Sequence, residues 1–155
     1  MTLTTAPLPD DAFLHRYAER DDCYADCYMT DAQAPDLATC IRAFYTTPLF
    51  RAERLILGVV GMSSTDADVD ALAAGTADTF AAWRVEDRAD HQILLSDKRG
   101  YTRSWLYHQP GCLFFGSAVT PPEPDAPLGV MVNALMPFHK VYSRGLLGSA
   151  ARRLA

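Results

Sequence analysis

The residues with the clearest chemical potential in this sequence are His139 and Tyr142, which lie three positions apart near the carboxyl end. If this stretch is helical, residues at i and i+3 project from one face and reach the same space. A neutral imidazole beside a phenol can act as an acid–base pair on an enol or carbonyl substrate. The pair is therefore a weak candidate catalytic site. The alternative is a core histidine whose ring nitrogens are bonded to neighbouring groups.

Motifs for other common chemistries are absent from the sequence. It contains no Gly-x-Ser-x-Gly nucleophile elbow, no phosphate-binding loop and no dinucleotide fingerprint. Cys23, Cys27, Cys40 and Cys112 form no Cys-x-x-Cys pair, and no histidine stands at zinc-finger spacing. On one strand, Cys23 and Cys27 would lie about 13 Å apart, too far for one metal or disulfide. We therefore expect small buried thiols, no metal and no cofactor.

Charge and composition limit the partners of this chain. The sequence has 19 acidic residues against 14 Lys and Arg, a net charge of −5, which opposes the counterion release that drives nucleic-acid binding. No segment approaches the roughly 20 apolar residues of a membrane span. Residues 1–11 lack the basic start and apolar core of a secretion signal. We expect a soluble, cytoplasmic protein with a flexible leader over residues 1–11 and a single domain over residues 12–155.

The stretch from Leu128 to Ala155 predicts one long amphipathic helix. At about 1.5 Å per residue it would reach roughly 40 Å, enough to cross a sheet whose eight-residue strands measure about 26 Å. Pro137 removes a helix hydrogen bond and predicts a kink near His139. The apolar stripe of this helix consists of Leu128, Met131, Val132, Leu135, Phe138, Tyr142, Leu146 and Ala150.

Upstream of this helix, the apolar pattern predicts a strand, three helices and a run of four strands. The opening strand spans Tyr24 to Thr30 and extends backward through His15 and Tyr17. The helices lie near residues 35–47, 49–60 and 65–75. The four strands are Phe80 to Asp87, Gln92 to Asp97, Tyr101 to His108 and Leu113 to Thr120. Their short connections require antiparallel hairpins, and helices beside an antiparallel sheet belong to the α+β class.

The turn positions predict which residues share a face of the sheet. If Lys98 with Arg99 forms one turn and Pro110 with Gly111 the next, one face collects Ile93, Leu95, Thr102, Ser104, Leu106, Phe115, Ser117 and Val119. This face is the more aliphatic, and we assign it toward the final helix. Burying its two opposed serine hydroxyls without partners would cost roughly 2–7 kcal/mol each. They therefore bond each other or water, or they line a pocket.

The opposite face is too aromatic for plain solvated surface. It collects Leu94, Ser96, Tyr101, Arg103, Trp105, Tyr107 and Phe114. One hypothesis is a homodimer contact centred on Trp105, since aromatic residues and arginine are enriched in interface cores. The other is a register slip of one residue, which would turn this face inward and make Arg103 a candidate anchor for an acidic ligand.

The element order and several short motifs resemble an uncharacterised bacterial family related to the helix-grip superfamily of START-like, birch-pollen-allergen-like and polyketide-cyclase-like domains. The resemblance covers about residues 15–154. Its motifs are Asp22 to Tyr28, Trp83-Arg84-Val85, Arg103-Ser104-Trp105-Leu106 and Phe138-His139-Lys140-Val141-Tyr142. It implies a curved antiparallel sheet of five to seven strands wrapped on a long C-terminal helix, with a pocket between them that holds apolar molecules in relatives.

Three functional hypotheses follow. The first is binding of a small apolar or amphipathic molecule between sheet and helix, by Leu95, Ser104, Leu106, Phe115, Ser117, Leu135, His139 and Tyr142. The second is a cyclase- or isomerase-type enzyme that uses His139 and Tyr142. The third is a dimeric interaction domain with a filled core and a contact at Trp105. An empty cavity of about 300 Å³ or more, lined by His139, would favour the first two.

Overall fold

The computed structural model describes residues 2–124 and 127–155, and of residues 130–133 and 135 it describes the backbone alone. Its strands are β1 (Leu3–Thr5), β2 (Tyr24–Asp31), β3 (Thr79–Phe80), β4 (Trp83–Ala89), β5 (Gln92–Asp97), β6 (Thr102–Gln109) and β7 (Cys112–Val119). Its helices are α1 (His15–Ala18), α2 (Leu37–Tyr45), α3 (Pro48–Val59), α4 (Asp66–Ala74) and α5 (Val130–Arg153). In this described part, the strands form one antiparallel sheet of seven in the order β1-β2-β7-β6-β5-β4-β3. The predicted α+β class is confirmed.

The hairpins of the sheet form where the turn residues predict them. Gly100 and Gly111 have φ angles of 80° and 84°, in the left-handed region that glycine adopts without steric cost. Strand β5 has the predicted bounds. The predicted strand from Phe80 to Asp87 is instead divided into β3 and β4, because the chain turns at Ala81, whose φ is 51°.

The helices begin at side-chain caps that the sequence contains. The Asp36 carboxylate accepts a hydrogen bond from the Thr39 amide at 2.7 Å, and Thr47 caps α3 in the same way. Thr65 and Asp68 form a capping box at the start of α4, which satisfies two amides that lack partners within the helix. The backward extension of β2 is wrong, because His15 begins the short helix α1.

The face of the sheet that the helices cover, called here the inner face, is the one predicted. Its buried side chains include Ile93, Leu95, Leu106 and Phe115, which form one cluster with apolar residues of α2, α3, α4 and α5. A cluster that joins all four helices to the sheet makes this the principal core of the protein.

The outer face of the sheet carries a second core, which residues 6–17 of the same chain cover. Leu94, Trp105, Tyr107 and Phe114 form a cluster there with Ala12 and Leu14, among others. Trp105 is 0% exposed, so it cannot form the predicted dimer contact. Its neighbour across the strands is Leu94, which lies on the same face as predicted. No register slip occurs.

Arg103 also lies on the outer face. Its Nε donates to Glu86 at 2.7 Å, and its guanidinium lies 4.4 Å from the ring centre of Tyr17. This pairing accounts for the charge without an acidic ligand. The anchor role considered for Arg103 therefore has no support.

The segment predicted as a flexible leader is packed over much of its length. Leu3–Thr5 pair with β2 as β1, and Ala6 and Leu8 pack on the outer core. Asp11 receives hydrogen bonds from Tyr107 at 2.9 Å and shares one with His91 at 2.7 Å. Order thus begins well before Phe13, because the apolar outer face must be covered.

Gln92 is the polar link between this segment and the sheet. It is 2% exposed, and its side-chain oxygen accepts from the Phe13 amide at 2.9 Å and from Trp105 Nε1 at 3.0 Å. Its side-chain nitrogen donates to the Asp11 carbonyl at 2.9 Å. One buried amide therefore satisfies three buried or half-buried groups.

Replacing this link by an apolar side chain is expected to destabilise the fold. Gln92→Leu leaves two donors and one acceptor unpaired, which costs about 2–4 kcal/mol in the free energy of unfolding. Urea unfolding measures the change. Gln33→Leu, at an exposed side chain, is the control and should change stability by about 0.5 kcal/mol or less. Equal effects of the two substitutions would contradict this role of Gln92.

Helix α5 packs in two different ways along its length. It contacts β2 and β7 of the sheet and also α2 and α3. Leu146 and Ala150 of the predicted stripe are buried, whereas Phe138 is 72% exposed. The side chains of Met131, Val132 and Leu135 lie outside the described residues.

None of the described helices has both the length and the apolar character needed to cross a bilayer.

Candidate functional site

A cavity of about 200 Å³ lies between the inner face of the sheet and α5. It is smaller than the 300 Å³ set above as favouring ligand binding or catalysis. The sheet contributes Trp83, Thr102, Arg103, Ser104, Phe115 and Ser117 to its lining. The helices contribute Phe44, Phe50, Glu53, His139, Tyr142, Ser143 and Leu146.

The predicted ligand-binding residues divide into three groups. The structure brings five of them together at the cavity: Ser104, Phe115, Ser117, His139 and Tyr142. Leu95 and Leu106 belong to the surrounding core instead, with no exposed surface. The side chain of Leu135 lies outside the described residues.

One polar end of the cavity is a chain of three groups from β2, β7 and α5. The Ser117 hydroxyl donates to Asp26 Oδ1 at 2.6 Å. Ser117 Oγ also lies 2.7 Å from His139 Nε2. The register brings the first two together, because Asp26 pairs directly with Ser117 across β2 and β7. His139 completes the chain from the helix side and is partly exposed, with 31% of its side-chain surface accessible.

Hydrogen-bond capacity assigns the proton on the imidazole. A serine hydroxyl carries one proton, and Ser117 uses it toward Asp26. Ser117 must then accept from His139, so the neutral ring carries its proton on Nε2. Nδ1 has no hydrogen-bond partner among the described residues and keeps its lone pair in that form. In a hydrolase triad the carboxylate bonds histidine and histidine activates serine; here serine stands in the middle and is no nucleophile.

Asp26 is held by several donors besides Ser117 Oγ. The Ser117 amide donates to Oδ1 at 3.2 Å, and the Tyr24 hydroxyl donates to Oδ2 at 3.1 Å. Burial first, and then the negative charge of Asp26, raise the pKa of both Tyr24 and Tyr28. These phenols therefore remain protonated donors at neutral pH.

The second polar end of the cavity pairs two helices. The Tyr142 hydroxyl on α5 donates to the Glu53 carboxylate on α3. Burial raises the pKa of Glu53, although this hydrogen bond partly opposes the shift. Burial and the contact with Glu53 also raise the pKa of Tyr142. His139 and Tyr142 both line the cavity, but their polar atoms bond different partners, so they do not form the direct acid–base pair considered above.

The remaining polar lining groups come from the sheet. Ser104 does pair with Ser117 in the strand register, yet its hydroxyl bonds Tyr45 at 3.0 Å rather than the other serine. Trp83 Nε1 is buried and has no hydrogen-bond partner among the residues that the structure describes. An unpaired buried donor costs free energy, and an acceptor that a ligand brought near Trp83 would recover it.

Nothing in the described residues assembles a metal site, since no group of three or more His, Cys, Asp or Glu side chains meets the geometry. Burial raises the pKa of Cys27 and Cys40 to about 12, so both stay neutral thiols. Comparison of the chain with protein-family models, with curated proteins and with solved structures finds no match.

The site residues that sequence reasoning missed include Asp26, Glu53 and Trp83. Asp26 lies between Ala25 and Cys27 in an otherwise apolar and aromatic strand, and a charge there was the available signal. Glu53 had no such signal, because glutamate is ordinary in a helix. Trp83 was part of the family resemblance but was given no role, since its burial depends on the β3–β4 turn.

The buried carboxyl of Glu53 predicts a pH-dependent stability. A raised pKa means that the fold favours the protonated acid, so this group stabilises the fold at low pH and loses that contribution as pH rises above 4.5, its ordinary value. Glu53→Gln removes the free-energy cost of burying an ionised carboxylate at neutral pH. We expect the variant's Tm to exceed that of the unmodified protein at pH 7, with a smaller difference at pH 4.

Thermal unfolding followed by circular dichroism at both pH values measures this effect. Glu123→Gln, at an exposed carboxylate, is the matched control and should show no pH-dependent difference. A Tm for Glu53→Gln below that of the unmodified protein at pH 7 would mean that the hydrogen bond from Tyr142 outweighs the burial cost.

Proposed function

We propose that this protein is a helix-grip domain that binds a small, uncharged, apolar or amphipathic molecule in the cavity between its sheet and α5. The observation that carries the proposal is a cavity lined by aromatic rings and Leu146 with polar groups at two ends. Ligand sites in proteins combine a mainly apolar lining with a few placed polar groups in this way.

Cavity size selects the class of ligand. An apolar cavity of about 150 Å³ admits benzene, so the 200 Å³ here corresponds to one aromatic or alicyclic ring with small substituents. Larger polycyclic or long-chain molecules would need the helix to move. This is a smaller ligand than the resemblance alone implies.

Charge selects against anions. Glu53 lies at one end, and Asp26 stands behind Ser117 at the other. The nearest arginine, Arg103, is already paired with Glu86 at 2.7 Å. A carboxylate in the cavity would lose its hydration without gaining a free cation, so the ligand is neutral.

Binding of simple one-ring compounds tests this proposal. We expect toluene and p-cresol to shift the amide resonances of Ser104 and Ser117 in ¹⁵N-resolved NMR spectra, and benzoate to shift them at least tenfold less at equal concentration. Ser143→Leu should abolish these shifts, because Ser143 is buried and lines the cavity. Absence of any shift at millimolar ligand would overturn the proposal.

The control substitution lies on the same helix. Ser149→Leu adds the same side chain two turns away, at a residue that does not line the cavity. Its binding should equal that of the unmodified protein. Thermal unfolding of both variants separates a filled cavity from a lost fold.

A second candidate function rests on the Asp26–Ser117–His139 chain. A carboxylate that acts through a serine hydroxyl stabilises an imidazolium, and the free lone pair on Nδ1 is then a candidate general base for a proton next to a carbonyl group. His139 would be the base, with Ser117 and Asp26 as positioning residues. This is the isomerase-type chemistry considered in the sequence analysis, but with Ser117 and Asp26 rather than Tyr142 supporting His139.

Deuterium uptake by a cyclic ketone tests the second candidate. Cyclohexanone in D₂O should exchange its α-protons faster with the protein than with buffer, as followed by proton NMR. His139→Gln should return exchange to the buffer rate, and Asp26→Asn should slow the exchange. Exchange that is unchanged in His139→Gln would exclude this chemistry at His139.

A further inference from the structure

A second recess, a groove of about 460 Å³, lies at the outer edge of β2, away from the cavity. Leu8 and Ala18 line one side of it, and Lys140 and Arg144 of α5 line the other. The edge of β2 around Ala25 lies between them. We propose that this groove, the β2-edge groove, binds an extended acidic peptide segment of a partner protein by adding it to the sheet as a further strand.

The pairing of the amino-terminal segment with β2 stops before it reaches Ala25. The register of β1 ends where Thr5 pairs with Tyr28, and the Ala6 amide then donates to the Cys27 carbonyl at 3.0 Å. No backbone hydrogen bond among the described residues joins the next two residues of the segment, Pro7 and Leu8, to β2. The amino-terminal half of β2, around Ala25, is therefore an unpaired edge of the sheet.

The unpaired groups can be assigned by strand alternation. In an antiparallel strand the amide and carbonyl of one residue point the same way, and those of the residue two positions on do so too. Because the Cys27 carbonyl bonds β1, the amide and carbonyl of Ala25 also point to the outer edge. No hydrogen bond of the described residues uses them outside the sheet. Exposed groups of this kind are the template for strand addition.

Charge decides the kind of peptide. Lys140 and Arg144 are exposed, lie one turn apart on α5 and form no ion pair with any described residue. Asp26 also lines the groove, and its carboxylate is already bonded by Ser117 and Tyr24. An incoming strand with acidic side chains on the α5 side would meet these two cations, and small apolar side chains on its other side would contact Leu8 and Ala18.

Fluorescence anisotropy with synthetic peptides tests the proposal. We expect a fluorescein-labelled octapeptide of alternating valine and glutamate to bind the full chain, and its valine–lysine counterpart not to bind. The same acidic peptide with an N-methyl group on every backbone amide cannot donate backbone hydrogen bonds, so its binding should be lost. No anisotropy change for the acidic peptide at millimolar protein, or equal binding of the N-methylated peptide, would overturn the proposal.

Two pairs of variants identify the site. Ala25→Pro removes the outward amide and should abolish binding, whereas Ala25→Ser keeps the amide and should bind within about twofold of the unmodified protein. Lys140→Ala with Arg144→Ala should weaken binding about tenfold, and Lys98→Ala with Arg99→Ala, at the remote β5–β6 turn, should leave it unchanged. A folded Ala25→Pro that still binds would exclude strand addition.

A small-molecule competitor separates the peptide from a simple anion. Glutarate carries the same charge without a backbone and should displace the peptide only at concentrations at least a hundredfold higher. Displacement by glutarate at the same concentration as unlabelled peptide would make the β2-edge groove a small-anion site and would overturn the peptide proposal. If Ala25→Pro does not fold, the N-methylated peptide alone decides the question.

Discussion

The structure depends on one constraint, a sheet whose two faces are both apolar and must both be covered. Antiparallel sheets commonly leave one face to water, but Ile93, Leu94 and Leu95 are successive residues with no exposed surface. Four helices cover the inner face, so only the chain that precedes β2 is available for the outer face. The β1 pairing and the buried amide of Gln92 hold that segment in place. The segment therefore begins at the edge of the sheet, where β1 pairs with β2, and reaches Gln92 on the interior strand β5.

This constraint explains which parts of the fold the sequence could predict. Alternation and turn residues located β5, β6 and β7 almost to the residue, and the capping box of Thr65 and Asp68 located α4, because those signals are local. The covering role of residues 6–17 was missed, since proline, threonine and aspartate are typical of a frayed end. The order there comes from contacts with Trp105 and Tyr107, about ninety residues later in the chain. The double apolar face was visible in the sequence, but it was attributed to contact with a second copy or to a register slip.

The candidate site was likewise predictable from the sequence only in part. Ser104, Ser117 and His139 stood out because each is polar among apolar neighbours, and the structure places all three at one cavity. Their actual partners are Tyr45 and Asp26, and these depend on the pairing of β2 with β7 and on the packing of α2. Neither follows from local pattern. A polar residue on an apolar face thus predicts that it has a hydrogen-bond partner. Which residue that partner is depends on the tertiary fold.

The position of the cavity follows from a change in how α5 is held. Toward its carboxyl end the helix is fixed by buried apolar residues such as Leu146, Leu147 and Ala150. Around His139 and Tyr142 it is fixed by polar contacts to Ser117 and Glu53. Hydrogen bonds hold two surfaces at a set distance without filling the space between them, whereas apolar packing closes it. The empty volume therefore lies where one mode of attachment gives way to the other, and the same polar groups that keep it open are those that a bound molecule would meet.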